Sequence, residues 1–212
     1  MIIRWHGHAC FEVRNKIVLV FDPHDGKSIG IKPPSVKADL VLVSHDHFDH
    51  NAVRAVKGLT TKVISTVGKH RFDDIEIEGI LTYHDEDMGR RRGKNTVFKV
   101  KMEGITLCHL GDLGHMLNDE QTATLGRPDI MFIPVGGTFT IDASTAWELI
   151  KKVKPRVAIP MHYRVGGLSL SIAPLTPFLE FVGEKNTVHV GNEVEFTKED
   201  LPTETEVWVF SL

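Results

Sequence analysis

Short apolar runs separated by turn-forming residues recur along the whole chain, and this pattern predicts mainly β-strands with a few helices. Between residues 75 and 78, isoleucine alternates with glutamate, which is typical of a strand with one side in solvent. Two later runs are mostly apolar and predict buried strands, Ile130–Pro134 and Arg156–Pro160. The other predicted strands are Ile2–Trp5, Cys10–Val13, Ile17–Phe21, Leu40–Val43, Lys62–Ser65, Asp74–Glu78, Gly79–Tyr83, Thr96–Lys101, Ile105–His109, Thr187–Val190, Glu193–Phe196 and Glu206–Phe210.

The second half of the chain adds helical patterns to the strands. Asp142 is a suitable N-cap for a helix that runs to Val153 and carries one apolar stripe. Shorter helices are predicted at Asn51–Lys57, Asn118–Leu125 and Pro174–Gly183. Strands followed by αβ units, in two similar halves, indicate an α/β protein in which two sheets pack face to face with helices outside.

Composition narrows the class of protein. With 212 residues, 42% of them hydrophobic and 25% charged, the chain is typical of a soluble globular protein with one domain over residues 1–212. A net charge of −3 argues against nucleic-acid binding. No apolar run approaches the length of a membrane span and no signal peptide is evident, so we expect a cytoplasmic protein. Cys10 and Cys108 are expected to be buried thiols.

A dense group of potential metal ligands follows the strand predicted at residues 40–43. Residues Ser44–His50 read Ser-His-Asp-His-Phe-Asp-His, and five of the six positions from 45 to 50 can bind a metal. In an extended loop, the spacing of His45 and His47 places both imidazoles on one side. Asp49 and His50 lie where the predicted helix begins and can reach a second metal position nearby. The motif therefore predicts a metal site rather than a solvated loop.

One loop cannot complete two metal coordination shells, so further ligands are expected at the ends of other apolar strands. His84, Asp112 and His162 each follow such a strand, at the kind of edge where α/β proteins assemble their sites. His109 lies three residues before Asp112 and is an alternative ligand to His84, although a supporting role fits it better.

Taken together, these motifs resemble the metallo-β-lactamase superfamily. Within it, the chain resembles small metal-dependent hydrolases related to ascorbate-phosphate lactonases and to N-acyl-phosphatidylethanolamine phospholipases. His84 corresponds to the isolated histidine that precedes the Gly-Asp motif of the family. The segments that carry the resemblance, in order, are Gly7–Ala9, Phe21–Pro23, Ser44–His50, Leu110–Gly114 and Ile159–Tyr163.

The resemblance implies a four-layer αβ/βα sandwich with a binuclear metal centre at one edge. By this analogy, Asp112 bridges two divalent ions and Asp22 orients the histidine loop from behind. Zinc suits a shell of histidine and carboxylate ligands, and manganese, iron and nickel are alternatives. The implied ligands are His45, His47 and His84 for the first ion, and Asp49, His50 and His162 for the second.

Two divalent ions about 3.5–4 Å apart can share one hydroxide. The implied centre therefore predicts a metal-dependent hydrolase acting on a small ester, lactone, amide or phosphodiester. Asp49 would bind its metal and accept a proton from the attacking water. The chain has no G-x-S-x-G motif for a competing serine mechanism. A metal-binding regulatory or sensing module without efficient catalysis is the alternative. His47 argues against the iron chemistry of the flavodiiron branch.

The substrate pocket is expected between two loops, Asp85–Arg92 and the loop from Gly136 to Thr140 that contains Gly137 and Thr138. The small residues of the second loop would let a substrate approach the backbone. Arginines 90 to 92 could hold an anionic small molecule, although a solvated basic turn accounts for three adjacent arginines slightly better. His8 is a candidate pocket residue or a structural histidine. The sequence predicts neither the substrate nor an oligomeric state.

Overall fold

Two mixed β-sheets face one another in the computed structural model, which describes residues 1–212 and confirms the predicted α/β sandwich. The first sheet, in spatial order, contains β13 (Glu193–Glu195), β1 (Ile2–Trp5), β2 (Phe11–Arg14), β3 (Val18–Phe21), β4 (Ala38–Leu42) and β5 (Lys57–Ile64). The second contains β12 (Thr187–Gly191), β14 (Glu206–Phe210), β11 (Val157–Met161), β10 (Ile130–Pro134), β9 (Ile105–His109), β8 (Lys94–Met102), β7 (Ile75–Tyr83) and β6 (Gly68–Phe72).

The main core lies between the sheets because alternate side chains of each strand point to opposite faces. In β3, Leu19 and Phe21 belong to the large apolar cluster, whereas Val20 belongs to a smaller cluster on the outer face of the first sheet. Phe11 of the first sheet packs against Phe132 of the second, with ring centroids 4.6 Å apart. This contact joins the two sheets directly beneath the site described below.

Four helices cover the sheets unevenly. The first sheet has only the single turn α1, whose Val56 packs in the smaller cluster, whereas the buried residues of the other three helices join the main core. None of the helices has the length and apolar character needed to span a lipid bilayer. The helices are α1 (Val53–Val56), α2 (Asp119–Leu125), α3 (Ala143–Val153) and α4 (Thr176–Val182), and short 3-10 turns lie at Lys27–Ile29 and Glu184–Asn186.

Strand direction decides where the polar strand ends meet. In the first sheet β3 and β4 are parallel, and in the second sheet β9, β10 and β11 are parallel. Strand β7 runs in the same direction as β9, because both are antiparallel to the intervening β8. The residues that directly follow β7, β9, β10 and β11 therefore lie along one edge of the second sheet.

Some element boundaries differ from the prediction. The helix expected at Asn51–Lys57 is limited to α1, and β5 begins at Lys57 instead of Lys62. Strand β6 was not predicted, because it is a polar edge strand without apolar alternation. The two strands predicted on either side of Gly79 form one strand, β7, in which a side chain at Gly79 would crowd the backbone of Thr66.

Candidate metal centre

The carboxylate of Asp112 lies at the centre of four imidazoles. Its Oδ2 atom is 3.1 Å from Nε2 of His84, 3.3 Å from Nε2 of His162 and 3.7 Å from Nε2 of His45. Its Oδ1 atom is 3.2 Å from Nε2 of His50. All five side chains are buried, so this polar cluster is largely removed from water. Residues that are distant in sequence thus converge on one carboxylate.

Two separate sets of potential ligand atoms lie beside Asp112, and within each set the atoms are no more than 4.8 Å apart; a third group, Asp22, His45 and His50, overlaps both. The first set is His45, His47 and His84, and the second is His8, Asp49, His50 and His162. The structure therefore brings together all seven residues that the sequence and the resemblance named as ligands. It adds His8, which the sequence placed only among candidate pocket residues.

Backbone contacts at the strand ends place Asp112 and His84. The N–H group of Asp112 donates to Oδ1 of Asn95, whose amide in turn donates to the carbonyl of Leu110. The N–H group of Gly114 donates to the carbonyl of Tyr83, so the Asp112 turn lies directly against the end of β7. A Cβ atom at Gly114 would overlap the backbone of His84, which explains the glycine there.

Asp22 and Ser44 hold the outer nitrogens of the histidine loop. Oδ2 of Asp22 accepts hydrogen bonds from Nδ1 of His50 at 2.9 Å and from the Ser44 hydroxyl at 2.6 Å, and Oδ1 accepts from the Ser44 N–H at 2.7 Å. The Ser44 oxygen then accepts from Nδ1 of His45 at 2.8 Å. When these rings are neutral and carry their proton on Nδ1, as metal binding requires, the Nε2 lone pairs face the cluster. The structure thus places Asp22 where the resemblance implied.

Several buried polar atoms in the cluster have no hydrogen-bond partner, and they fit a bound cation. They include Nε2 of His45, Nε2 of His50 and Oδ1 of Asp112. Buried unpaired polar atoms are costly and rare in folded proteins, and here they point at one another. Imidazole nitrogen and carboxylate oxygen are donors that zinc and similar divalent ions accept. The donor set is therefore suited to metal binding.

The charges in the cluster are strongly coupled. Burial opposes a proton on His50, but Asp112 and Asp22 on its two sides raise the pKa of His50 well above its usual value. Burial, helped by the nearby His50, lowers the pKa of His45 to about 3. Burial also opposes ionisation of Asp112, but His162 and His50 hold the pKa of that carboxyl well below its usual range. Opposite charges are thus already paired within the cluster.

His8 contacts the cluster through Asp49. Its Nε2 atom lies 3.0 Å from Oδ2 of Asp49, and its Nδ1 atom is buried without a partner. Burial, followed by the nearby His162, lowers the pKa of His8 to about 3, so the ring is neutral and Nε2 carries the proton that it donates to Asp49. The His8 carbonyl accepts from the N–H of His162 and from the indole of Trp5, which holds the residue in a left-handed conformation with φ of 54°.

His109 does not take the place of His84 as a ligand. Its Nε2–H donates to the carbonyl of Ala9 at 2.9 Å, and its Nδ1 accepts from the N–H of Gly111 at 3.2 Å. The ring stacks on Phe21 with centroids 4.7 Å apart. Both nitrogens are occupied, so His109 supports the turn that carries Asp112.

The expected pocket between the two loops is present beside His84. A cavity of about 310 Å³, here called the His84 pocket, is lined by residues of both loops, including Gly137 and Thr138. Gly136 does not line this pocket, and its lack of a side chain has another explanation. A Cβ atom there would overlap the carbonyl of His162, so Gly136 accommodates a neighbouring backbone instead of a substrate.

Sequence reasoning missed the roles of Ser44 and Asn95, which hold ligands through hydrogen bonds. Ser44 directly precedes the histidine motif, and its hydroxyl was an available signal. Asn95 lies in β8, seventeen residues before Asp112, and nothing in the local sequence indicates its contact. Such partners depend on how strands pair, which local patterns do not show.

Comparison with known proteins agrees with this geometry. The family model for the β-lactamase superfamily domain matches residues 2–162. A protein of Thermoplasma acidophilum named as a metal-dependent hydrolase is 32% identical over 185 residues, which cover 76% of this chain and 82% of that protein. A protein of Pyrococcus furiosus with the same name is 30% identical over 209 residues, covering 86% of this chain and 92% of that protein.

A solved structure shows the same fold along the whole chain. It is the crystal structure of a proposed Zn-dependent hydrolase of the metallo-β-lactamase superfamily from Thermotoga maritima. That protein is 37% identical, the match covers 99% of this chain and 97% of that chain, and the TM-score is 0.81. The chain therefore belongs to the β-lactamase superfamily and is one of its metal-dependent hydrolases.

Proposed function

We propose that the protein binds two divalent cations, zinc in the first instance, and hydrolyses a small ester, lactone, amide or phosphodiester. The observation that carries the proposal is the arrangement around Asp112, whose two carboxylate oxygens face ligand atoms of two separate sets. The first ion would be held by His45, His47 and His84, the second by Asp49, His50 and His162, and Asp112 would contact both.

The bound cations would supply a water of near-neutral pKa and a positive charge that polarises the scissile group. Asp22 and Ser44 keep the loop imidazoles turned with Nε2 inward, so no reorganisation of these rings is needed during the reaction. Burial opposes ionisation of Asp49, but the hydrogen bond from His8 and the nearby His50 lower the pKa of Asp49. Asp49 is therefore a weak base that orients water and holds a proton only transiently.

The size of the pocket beside the proposed metal centre favours a small substrate. The His84 pocket, at about 310 Å³, lies within the size range of small-molecule sites. Its wall includes backbone of the loop at Gly137 and Thr138, which can hydrogen-bond a substrate directly. The half-buried ring of His47 is the least buried of the seven proposed ligands.

The proposal is tested by metal analysis and turnover measured on one preparation. We expect about two zinc ions per chain, and hydrolysis of at least one member of a panel of aryl esters, lactones, amides and phosphodiesters. Asp112→Asn should lower kcat/KM by about 1000-fold, since a metal ion contributes several kcal/mol of charge stabilisation. Asp74→Asn, a matched change at an exposed aspartate, should leave turnover unchanged.

Each outcome has a distinct meaning. One ion per chain in the active protein would contradict the two-cation centre. Two ions per chain with no turnover on the whole panel would contradict this choice of bonds and favour a metal-binding sensing module. Equal activity of Asp112→Asn and Asp74→Asn would remove Asp112 from the proposed centre.

A further inference from the structure

A second groove reaches the histidine loop on the other side of Arg92. It has a volume of about 490 Å³, and we call it the β5–β7 groove. Its lining includes His45 and His47 of the histidine loop, Ser65 and Thr66 after β5, and Arg92 and Lys94. The groove therefore contacts two proposed ligands of the first cation, His45 and His47. The His84 pocket contacts the third, His84.

The charges of the two depressions differ. Arg92 and Lys94 line the β5–β7 groove, and neither has a carboxylate oxygen within 4.0 Å. The hydroxyl-bearing residues Ser65 and Thr66 also line it, and its single acidic residue, Asp46, accepts a hydrogen bond from Asn51. The His84 pocket touches Arg92 and the ion-paired Arg91, but three acidic residues also line it, Asp85, Glu86 and Asp142. A negatively charged ligand group is therefore favoured in the β5–β7 groove.

The backbone around Arg92 is held in place by Asp85. The buried carboxylate of Asp85 accepts hydrogen bonds from the N–H groups of Asp87 at 2.8 Å, Gly89 at 2.9 Å, Arg91 at 3.1 Å and Arg92 at 2.8 Å. These bonds overcome the effect of burial and lower the pKa of Asp85, so the carboxylate stays ionised. The loop that presents Arg92 is therefore fixed directly after the proposed ligand His84.

The three adjacent arginines are not equivalent. Arg91 pairs with Asp87 at 2.5 Å, and Arg90 lines neither the groove nor the pocket. The guanidinium of Arg92 lies over the ring of Phe139, a residue of the His84 pocket, 5.4 Å from its centroid, so the cation stands at the boundary between the pocket and the groove and keeps its charge. Among the three, only Arg92 is both unpaired and placed beside the histidine cluster.

We propose that the β5–β7 groove binds an oxyanion group of the substrate, a carboxylate or a phosphate, with Arg92 as the main contact and Lys94 as the second. A planar guanidinium pairs with two oxygens of either group, and Lys94 adds a point charge. The bond to be cleaved would lie at the histidine cluster while the charged end of the molecule lies in the groove. This inference rests on the proposed hydrolase function and specifies its substrate class.

Binding of simple anions to the metal-loaded protein tests the groove independently of turnover. Inorganic phosphate and succinate, measured separately by calorimetry, represent the two possible oxyanions. Arg92→Gln should weaken binding of the preferred anion by about tenfold, the effect of losing one charge-assisted contact. Arg90→Gln removes the same charge from the same loop and should change binding less than about twofold. Equal binding by both variants would overturn the proposal, since the anion would then be held by the cations alone.

A matched pair of substrates separates this inference from the proposed function. We expect Arg92→Gln to raise KM for a carboxylate-bearing aryl ester by about tenfold and to change KM for p-nitrophenyl acetate much less, because that ester carries no anionic group. An equal change for the two esters, in an active enzyme, would overturn the groove assignment. If neither ester is hydrolysed but anion binding still depends on Arg92, the groove stands and the ester function fails.

Discussion

The loop histidines and the strand-end histidines reach the same carboxylate but are held in different ways. His45 and His50 have their outer nitrogens hydrogen-bonded to Ser44 and Asp22. The outer nitrogens of His84 and His162 are buried and have no partner. One half of the cluster is thus oriented by side-chain hydrogen bonds before any metal binds, and the other half is not.

Backbone geometry takes over this role for the strand-end histidines. The N–H of His84 donates to the carbonyl of Gly93, and that of His162 donates to the carbonyl of His8. Glycines at 114 and 136 allow the neighbouring chain to lie against these two backbones. The two halves should therefore lose their geometry through different changes. The loop histidines depend on hydrogen bonds from distant side chains, and the strand-end histidines depend on the position of the backbone.

Among the residues that hold the ligands without being ligands themselves, the largest effect is expected from Asp22→Asn. An amide cannot accept all the hydrogen bonds from Ser44 and His50, so both loop imidazoles lose their orientation. Zinc affinity, measured by competition with a chelating dye, should fall about 10- to 100-fold. Ser44→Ala breaks only the link to His45 and should cost less. Asp74→Asn is the matched control, and Asp22→Asn with wild-type affinity would show that the metal alone orients the loop.

A smaller loss is expected from removing His8, which supports Asp49 without a predicted bond to metal. His8→Ala should lower zinc affinity by about tenfold because Asp49 loses its hydrogen-bond donor. His8→Gln keeps a donor of similar reach and should recover part of the loss. Both substitutions place a residue in the same left-handed backbone conformation, so the difference between their zinc affinities reports the hydrogen bond alone. The absence of any rescue by glutamine would contradict this role.

Gly136→Ala tests the strand-end half of the comparison. The added methyl group would overlap the His162 carbonyl and should lower the free energy of unfolding by about 1–3 kcal/mol. Chemical denaturation of the metal-free chain measures this change. Gly166→Ala is the control, because a Cβ atom there contacts nothing within 4 Å and neither glycine has a left-handed backbone. Equal stability of the two variants would mean that the site relaxes without cost.

The last test concerns the pH dependence of the metal-free chain, in which no metal orients the histidines. Burial lowers the pKa of His8 to about 3, of His24 to about 4 and of His45 to about 3. These rings take up protons only on unfolding, so the free energy of unfolding should fall as the pH decreases from about 6.5 to 4. The raised pKa of His50 adds stability that is fully present over this range and declines only above it. Denaturant titrations at several pH values would reveal a flat profile if these rings were already protonated in the folded chain.

The local sequence was enough to predict which residues could bind metal. The histidine motif after an apolar strand and single ligands after three other strands identified candidates, because strand ends carry the groups that a sheet edge exposes. The resemblance to a known family assigned these candidates to two ions. The element pattern also predicted the α/β sandwich, while the polar edge strand β6 was missed because it lacks apolar alternation.

Other features were decided by tertiary structure. Whether His109 or His84 faces Asp112 depends on which nitrogens the surrounding backbone occupies, and His109 has both of its nitrogens hydrogen-bonded. Three adjacent arginines read alike in the sequence, and only packing leaves Arg92 unpaired beside the cluster. Sequence patterns thus determined which candidate ligand residues the chain has and that they follow strands, because periodicity and residue type are local properties. Hydrogen-bond partners, protonation and access were settled by contacts between segments far apart in the chain.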